Sequence, residues 1–165
     1  LLNIVSIMYL ILFIYIGYEY NKSAPFELLF ILLICIFSDT GGYLIGKTIG
    51  GKKLTKISPN KTISGSLGSF IFSIIPIALL WYFSVGTGFS FIFDNINKNI
   101  YLLVLICLFL SLVCQLGDLF FSYFKRKAKV KDTGSILPGH GGLLDRIDGI
   151  IFVLPVAFIL DKVMG

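Results

Sequence analysis

The sequence predicts an all-α, polytopic integral membrane protein with about five transmembrane helices and two polar loops on the cytoplasmic side. Three observations carry this expectation. Hydrophobic residues make up 56% of the 165 positions, and the mean hydropathy is +0.92, above what soluble domains show. Charged residues make up only 14%, so runs such as Ile100 to Leu116 contain none. The apolar stretches are long enough for membrane helices and too long for buried strands.

The apolar segments run over 1–18, 26–49, 63–84, 99–122 and 143–163. The first has no charged leader and no small-residue cleavage pattern, so it reads as a retained span and not as a signal peptide. The second ends at a glycine-rich stretch from Gly41 to Gly51, and the third opens on Ser64-Gly65-Ser66-Leu67-Gly68. The fourth passes without a charge from Ile100 to Leu116. In the fifth, the uncharged run Gly149 to Leu160 has twelve residues, short of the roughly twenty a bilayer core requires. Its helix is therefore expected to start near Leu143. No internal repeat or low-complexity linker divides the chain, and residues 1–165 are expected to form a single membrane-embedded catalytic domain. Because the first residue is Leu1 and not Met, the chain is expected to be the later part of a longer protein.

Charge sets the expected topology. Lys47, Lys52, Lys53, Lys56 and Lys61 crowd the second connection, and Lys125, Arg126, Lys127, Lys129, Lys131 and Arg146 the fourth. Together they are eleven of the fourteen cationic residues, and the positive-inside rule places both connections in the cytoplasm. Anchoring to anionic lipid explains their sign. It does not explain why Asp39, Asp118, Asp132, Asp145 and Asp148 accompany them. Cys35, Cys107 and Cys114 lie in apolar runs without metal-ligand spacing and read as packing residues.

Asp39 lies about two helical turns inside the cytoplasmic end of its span, where a lipid-facing carboxylate is costly. It is expected to face a protein interior or a polar cavity. Asp118 repeats the arrangement near the end of the fourth span. With a helix starting near Leu143, Asp145 and Asp148 fall at i and i+3 on one face. Carboxylates in a first turn also interact favourably with the helix dipole, but the whole set is better explained by convergence on one site. Several oxygen ligands beside many cations suit a Mg2+-dependent reaction on phosphates. Gly-rich segments would add backbone donors; the candidates are Pro138-Gly139-His140-Gly141-Gly142 and the stretch from Ser64 to Gly68. For Gly65 and Gly68 close helix packing is the favoured role. His140 is the single histidine, and Ser58-Pro59-Asn60-Lys61-Thr62 exposes hydroxyl and ammonium groups before the third span.

The run Ser122-Tyr123-Phe124-Lys125-Arg126, then Lys131-Asp132-Thr133-Gly134, then Leu137-Pro138-Gly139-His140-Gly141-Gly142-Leu143-Leu144-Asp145-Arg146-Ile147-Asp148 resembles the signature of the phosphatidate cytidylyltransferase (CDP-diacylglycerol synthase) family. Gly117-Asp118-Leu119, Asp39-Thr40 with Tyr43 and Gly46, and Ser58-Pro59 with Lys61-Thr62 and Gly65 are similar to other segments of that family, in the same order. The resemblance spans residues 38–160. It departs at Ser64, where the family usually has Glu, and at Gly42, where it usually has Ala.

The resemblance implies transfer of CMP from CTP to phosphatidate, giving CDP-diacylglycerol and pyrophosphate, at the cytoplasmic face of a bacterial inner membrane. It implies Mg2+, with K+ as a candidate second cation, and a homodimer in contact with membrane lipid; no nucleic acid is expected. The expected catalytic residues are Asp118, Asp145, Lys125, Arg126, Lys131 and Asp132. Ser58, Lys61, Thr62, His140, Arg146 and Asp39 are expected to bind substrate, and Asp118, Asp145 and Asp148 to hold metal. A transporter would want its acids nearer the bilayer centre. A CDP-alcohol phosphotransferase would carry its acids in one compact Asp-Gly-x2-Ala-Arg type motif, which the sequence lacks. A mere anchor would need no buried carboxylates.

Overall fold

The computed structural model describes residues 2–55, 58, 60–84, 90–130, 133–134, 142 and 144–164. Among them the chain is helical: α1 (Leu2–Ser23), α2 (Pro25–Thr48), α3 (Ile63–Phe72), α4 (Ile75–Ser84), α5 (Ser90–Lys127) and α6 (Leu144–Met164). An isolated antiparallel bridge pairs Lys53 with Thr62. Three stretches of the described residues are long and apolar enough to cross a membrane: Pro25–Thr48, Ile63–Tyr82 and Asn99–Lys127.

Local chemistry sets the helix limits. Pro25 opens α2 at a position where its missing N–H costs nothing. Gly50 and Gly51, at φ of +63° and +109°, turn the chain away from its end. Thr62 caps α3, its hydroxyl accepting from the Gly65 N–H at 3.1 Å. The third apolar segment is broken between α3 and α4, because Pro76 offers no N–H to the Phe72 carbonyl and its ring crowds the turn before it. In α5, Asn99 is non-helical and its side chain accepts from the Leu102 N–H at 3.3 Å, so it caps the portion that follows. Residues 90–98, which lie between the third and fourth apolar segments, are helical. Helix α5 ends with Lys129 at φ +56°, the Lys129 N–H reaching the Arg126 carbonyl and the Val130 N–H the Lys125 carbonyl. This is a Schellman closure with lysine in the place glycine usually takes.

The chain divides into two compact units, residues 1–32 with 113–165, and residues 33–112. In the first, α1 packs on α6. Ile16 and Tyr20 of α1 and Ile151, Val153, Leu154 and Ala157 of α6 are buried. The Tyr20 and Phe158 rings meet edge to face at 5.9 Å, with the Lys162 ammonium 5.6 Å over Phe158. The opposite stripe of α1, Ile7, Ile11, Ile14 and Tyr18, is exposed. Such a continuous apolar face is a liability in water and a normal surface against hydrocarbon.

In the second unit, α2 and α3 meet along glycines. A Cβ built on Gly65 would stand 2.7 Å from the Gly42 carbonyl oxygen, and one on Gly68 2.7 Å from that of Gly41. The two backbones therefore touch, which is the packing role expected for Gly65 and Gly68. The same unit buries a polar pair, Ser38 Oγ and Ser111 Oγ, 2.8 Å apart and both at 0% exposure. Replacing either serine by alanine removes this buried hydrogen bond, so each single variant is expected to lose about 1 kcal/mol and the double variant little more. Unfolding of the three variants in detergent checks this.

Candidate functional site

Among the described residues, two acids of the first unit lie close together where the end of α5 meets the start of α6. Asp118 sits about two and a half turns before the end of α5 and Asp148 in the first turns of α6. Each acid has a glycine neighbour on the facing side. A Cβ on Gly117 would come 3.2 Å from the Asp148 carbonyl oxygen and 3.3 Å from Gly149 Cα. One on Gly149 would stand 2.6 Å from Cys114 Sγ and 2.9 Å from Asp118 Oδ1. The paired glycines let the backbones approach until the Asp118 and Asp148 carboxyl groups come within hydrogen-bonding reach.

Asp148 Oδ1 also accepts from the Gly149 N–H at 3.0 Å, and Asp148 Oδ2 lies 3.7 Å from Lys125 Nζ. Both side chains of that ion pair are largely shielded, at 16% and 17% exposure. Beside the acids lies an aromatic cluster: Phe120, Phe121 and Phe152 meet edge to face with centroids 5.1 to 6.3 Å apart, and Phe124 extends the group at 4.7 Å from Phe120. Two facing carboxylates with one shielded ammonium are short of positive charge. Hard oxygen donors at such spacing suit a hard divalent cation, so the residues present fit Mg2+.

The other expected site residues are placed as follows. Arg126, next to Lys125 on the last turn of α5, is exposed. The backbones of Asp145 and Arg146 lie in the first turn of α6, which starts at Leu144, one residue after the expected start; their side chains, with Lys131, Asp132 and His140, lie outside the described residues. In the second unit, Ser58 and Lys61 share the turn before α3. The Lys61 N–H reaches the Ser58 carbonyl at 3.1 Å, and the Ser58 N–H donates to Thr55 Oγ1 at 3.2 Å. The Leu54 N–H reaches the Lys61 carbonyl at 2.8 Å and the Ile63 N–H the Lys52 carbonyl at 3.0 Å, closing a short hairpin. Thr62, expected to bind substrate, has its hydroxyl engaged in capping α3 and with Ser64 at 3.0 Å. Ser64 also bonds the Gly50 carbonyl, so it ties the hairpin to the turn after α2.

Asp39 of α2 carries an exposed side chain. Ser38, a residue earlier and about 100° around the helix, takes the buried position.

Sequence reasoning did not single out Gly149, or Gly117 as a packing residue. Their signal is the symmetry Gly117-Asp118 and Asp148-Gly149, an acid flanked by glycine on each of two helices.

The model of the cytidylyltransferase family matches residues 1–164. Phosphatidate cytidylyltransferase of Staphylococcus aureus (strain COL) is 46% identical over 145 residues, covering 87% of this chain and 52% of that protein. The proteins of that name from Staphylococcus haemolyticus (strain JCSC1435) and Staphylococcus epidermidis (strain ATCC 35984) are 45% and 44% identical, with the same coverage. The chain spans about half the length of these curated relatives. With that family model matching residues 1–164, the chain belongs to the cytidylyltransferase family.

Proposed function

We propose that the protein of which this chain is part is a Mg2+-dependent phosphatidate cytidylyltransferase, joining CTP to phosphatidate. The observation that carries the proposal is the Asp118, Asp148 and Lys125 cluster, inside a chain of this family and on apolar helices. The chain is read as five spans, α1, α2, α3 with α4, the later part of α5, and α6, forming one catalytic domain in a bacterial cytoplasmic membrane. The cationic connections, and with them the acid pair, face the cytoplasm. Phosphatidate then stays in the bilayer while CTP arrives from the water phase. A homodimer and a second, monovalent cation such as K+ belong to the same proposal.

Asp118 and Asp148, with Asp145 in the same turn of α6, would hold the metal. The bound ion supplies neutralisation of phosphate oxygens and fixes their orientation. The chain's own residues then have defined tasks. Lys125, held near the acid pair by Asp148, presents its ammonium to a phosphate oxygen, and Arg126 and Lys131 extend the positive surface. Ser58, Lys61, Thr62, Asp39, His140 and Arg146 are assigned to substrate binding, and Asp132 to catalysis. The shielding of Lys125 and Asp148, at 16% and 17% exposure, strengthens the charge interaction between them. A phosphate oxygen of phosphatidate attacks the α-phosphorus of CTP; a P–O bond forms, the bond from that phosphorus to the bridging oxygen breaks, and pyrophosphate leaves with its electron pair. No side-chain nucleophile is consumed, so positioning and charge neutralisation supply the rate.

Purified full-length protein in detergent is expected to release pyrophosphate from CTP only when phosphatidate and Mg2+ are both present. Folded protein without phosphatidate-dependent release would overturn the proposal, and ion flux across vesicles would then be measured.

A further inference from the structure

Helix α6 carries Pro155 inside its apolar run. Proline has no N–H, so the carbonyl four residues earlier, that of Ile151, loses its helical partner. In a membrane interior such a group must be satisfied from elsewhere. The Tyr9 hydroxyl, from α1 and 142 residues away in sequence, donates to the Ile151 carbonyl oxygen at 3.0 Å. The Tyr9 ring also lies 5.9 Å from that of Phe152, and Phe152 stacks on Phe120 and Phe121, the residues that follow Asp118 and Leu119 on α5.

Ile151 is three residues after Asp148. The tolerance at the acid pair is small, since Gly117 and Gly149 hold the two backbones at a separation that a single Cβ would disturb. A carbonyl left without a partner one turn from Asp148 would bend or rotate α6 at the proline, and the contact it would disturb first is the facing pair of acids.

We propose that Tyr9 is a positioning residue for the Asp118 and Asp148 pair, acting by satisfying the Ile151 carbonyl that Pro155 leaves free. It touches neither substrate nor metal. Its role resembles that of outer groups that orient metal ligands, whose loss typically costs about 10- to 100-fold in metal affinity or activity. The inference rests on the metal-dependent reading given above.

The test is a double-variant comparison in the full-length protein: wild type, Tyr9→Phe, Pro155→Ala, and both together. Alanine at 155 restores an N–H for the Ile151 carbonyl, so the Tyr9 hydroxyl becomes dispensable. Tyr9→Phe is expected to raise the Mg2+ concentration for half-maximal turnover about tenfold, with KM for CTP changed less than about twofold. In the Pro155→Ala background the same substitution is expected to change the Mg2+ requirement by less than about twofold.

The shift of unfolding temperature with added Mg2+ gives a second readout that needs no turnover. Tyr9→Phe should diminish it and the double variant should recover it. An unchanged Mg2+ requirement in Tyr9→Phe, an equal loss in both backgrounds, or no Mg2+ stabilisation of the wild type would each overturn the proposal. Mg2+ stabilisation that follows this pattern without phosphatidate-dependent turnover would support the positioning role and sink the enzymatic reading. Should Tyr9→Phe fail to fold, a folded, Mg2+-responsive double variant supports the proposal and an unfolded one overturns it.

Discussion

Asp118→Asn in the full-length protein is expected to lower CTP turnover with phosphatidate on the order of a thousandfold, the scale of losing a preorganised electrostatic partner in a shielded site. Asparagine has nearly the same shape, so the close approach of Gly149 to position 118 survives. What is lost is charge. One carboxyl group of the facing pair is gone, and the attraction for a divalent cation falls accordingly. Removing one of two facing carboxylates also removes their mutual repulsion. The variant is therefore expected to unfold at the same temperature as wild type or higher when Mg2+ is chelated, and to gain less from added Mg2+. A turnover loss below about tenfold, far from the scale of a removed electrostatic partner, would show that the acid pair is not the metal centre. Loss of turnover with the Mg2+ stabilisation intact would place the metal on other residues.

Gly68→Ala is expected to have the largest effect on folding, about 3 kcal/mol of lost stability, at the upper end of the range for overpacking. The new Cβ would stand 2.5 Å from Ile45 Cβ, 2.6 Å from Ile45 Cγ1 and 2.7 Å from the Gly41 carbonyl oxygen. Ile45 is β-branched and stiff at its first torsion, and a backbone oxygen cannot rotate aside, so α3 must move off α2. Gly17→Ala provides the contrast. Its Cβ would meet Leu154 Cδ2 at 3.6 Å, an ordinary contact, inside a helix where alanine is favoured over glycine by roughly 0.5–1 kcal/mol. That substitution is expected to leave stability unchanged or raise it. Denaturant unfolding in detergent of both variants decides the matter. Equal, small effects would mean that the α2–α3 seam is looser than its geometry indicates.

Part of the candidate site was legible because it follows local rules. Asp145 and Asp148 fall on one turn of α6 by helical spacing alone, and Lys125 and Arg126 crowd the end of α5 where cations complement the helix dipole. The glycines at 65 and 68 were legible as packing residues. Thr62 was not legible as a cap: its hydroxyl was assigned to substrate, and which neighbour a threonine hydroxyl meets depends on where the backbone turns. The break at Asn99, which caps the part of α5 that follows it by accepting from Leu102, is a choice between two locally competent conformations.

The sequence by itself determined the all-α class, the apolar helices and the family, since all three rest on composition, period and fixed polar positions read along the chain. Only the tertiary structure decided which groups meet. The approach of Asp118 to Asp148, the seam of Gly41 and Gly42 on Gly65 and Gly68, and the Tyr9 hydroxyl on the Ile151 carbonyl join residues far apart in sequence. Proline at 155 states that a carbonyl is left free. Which distant side chain reaches that carbonyl is fixed by how the helices pack, and packing depends on the shape of whole helix faces and not on any local pattern.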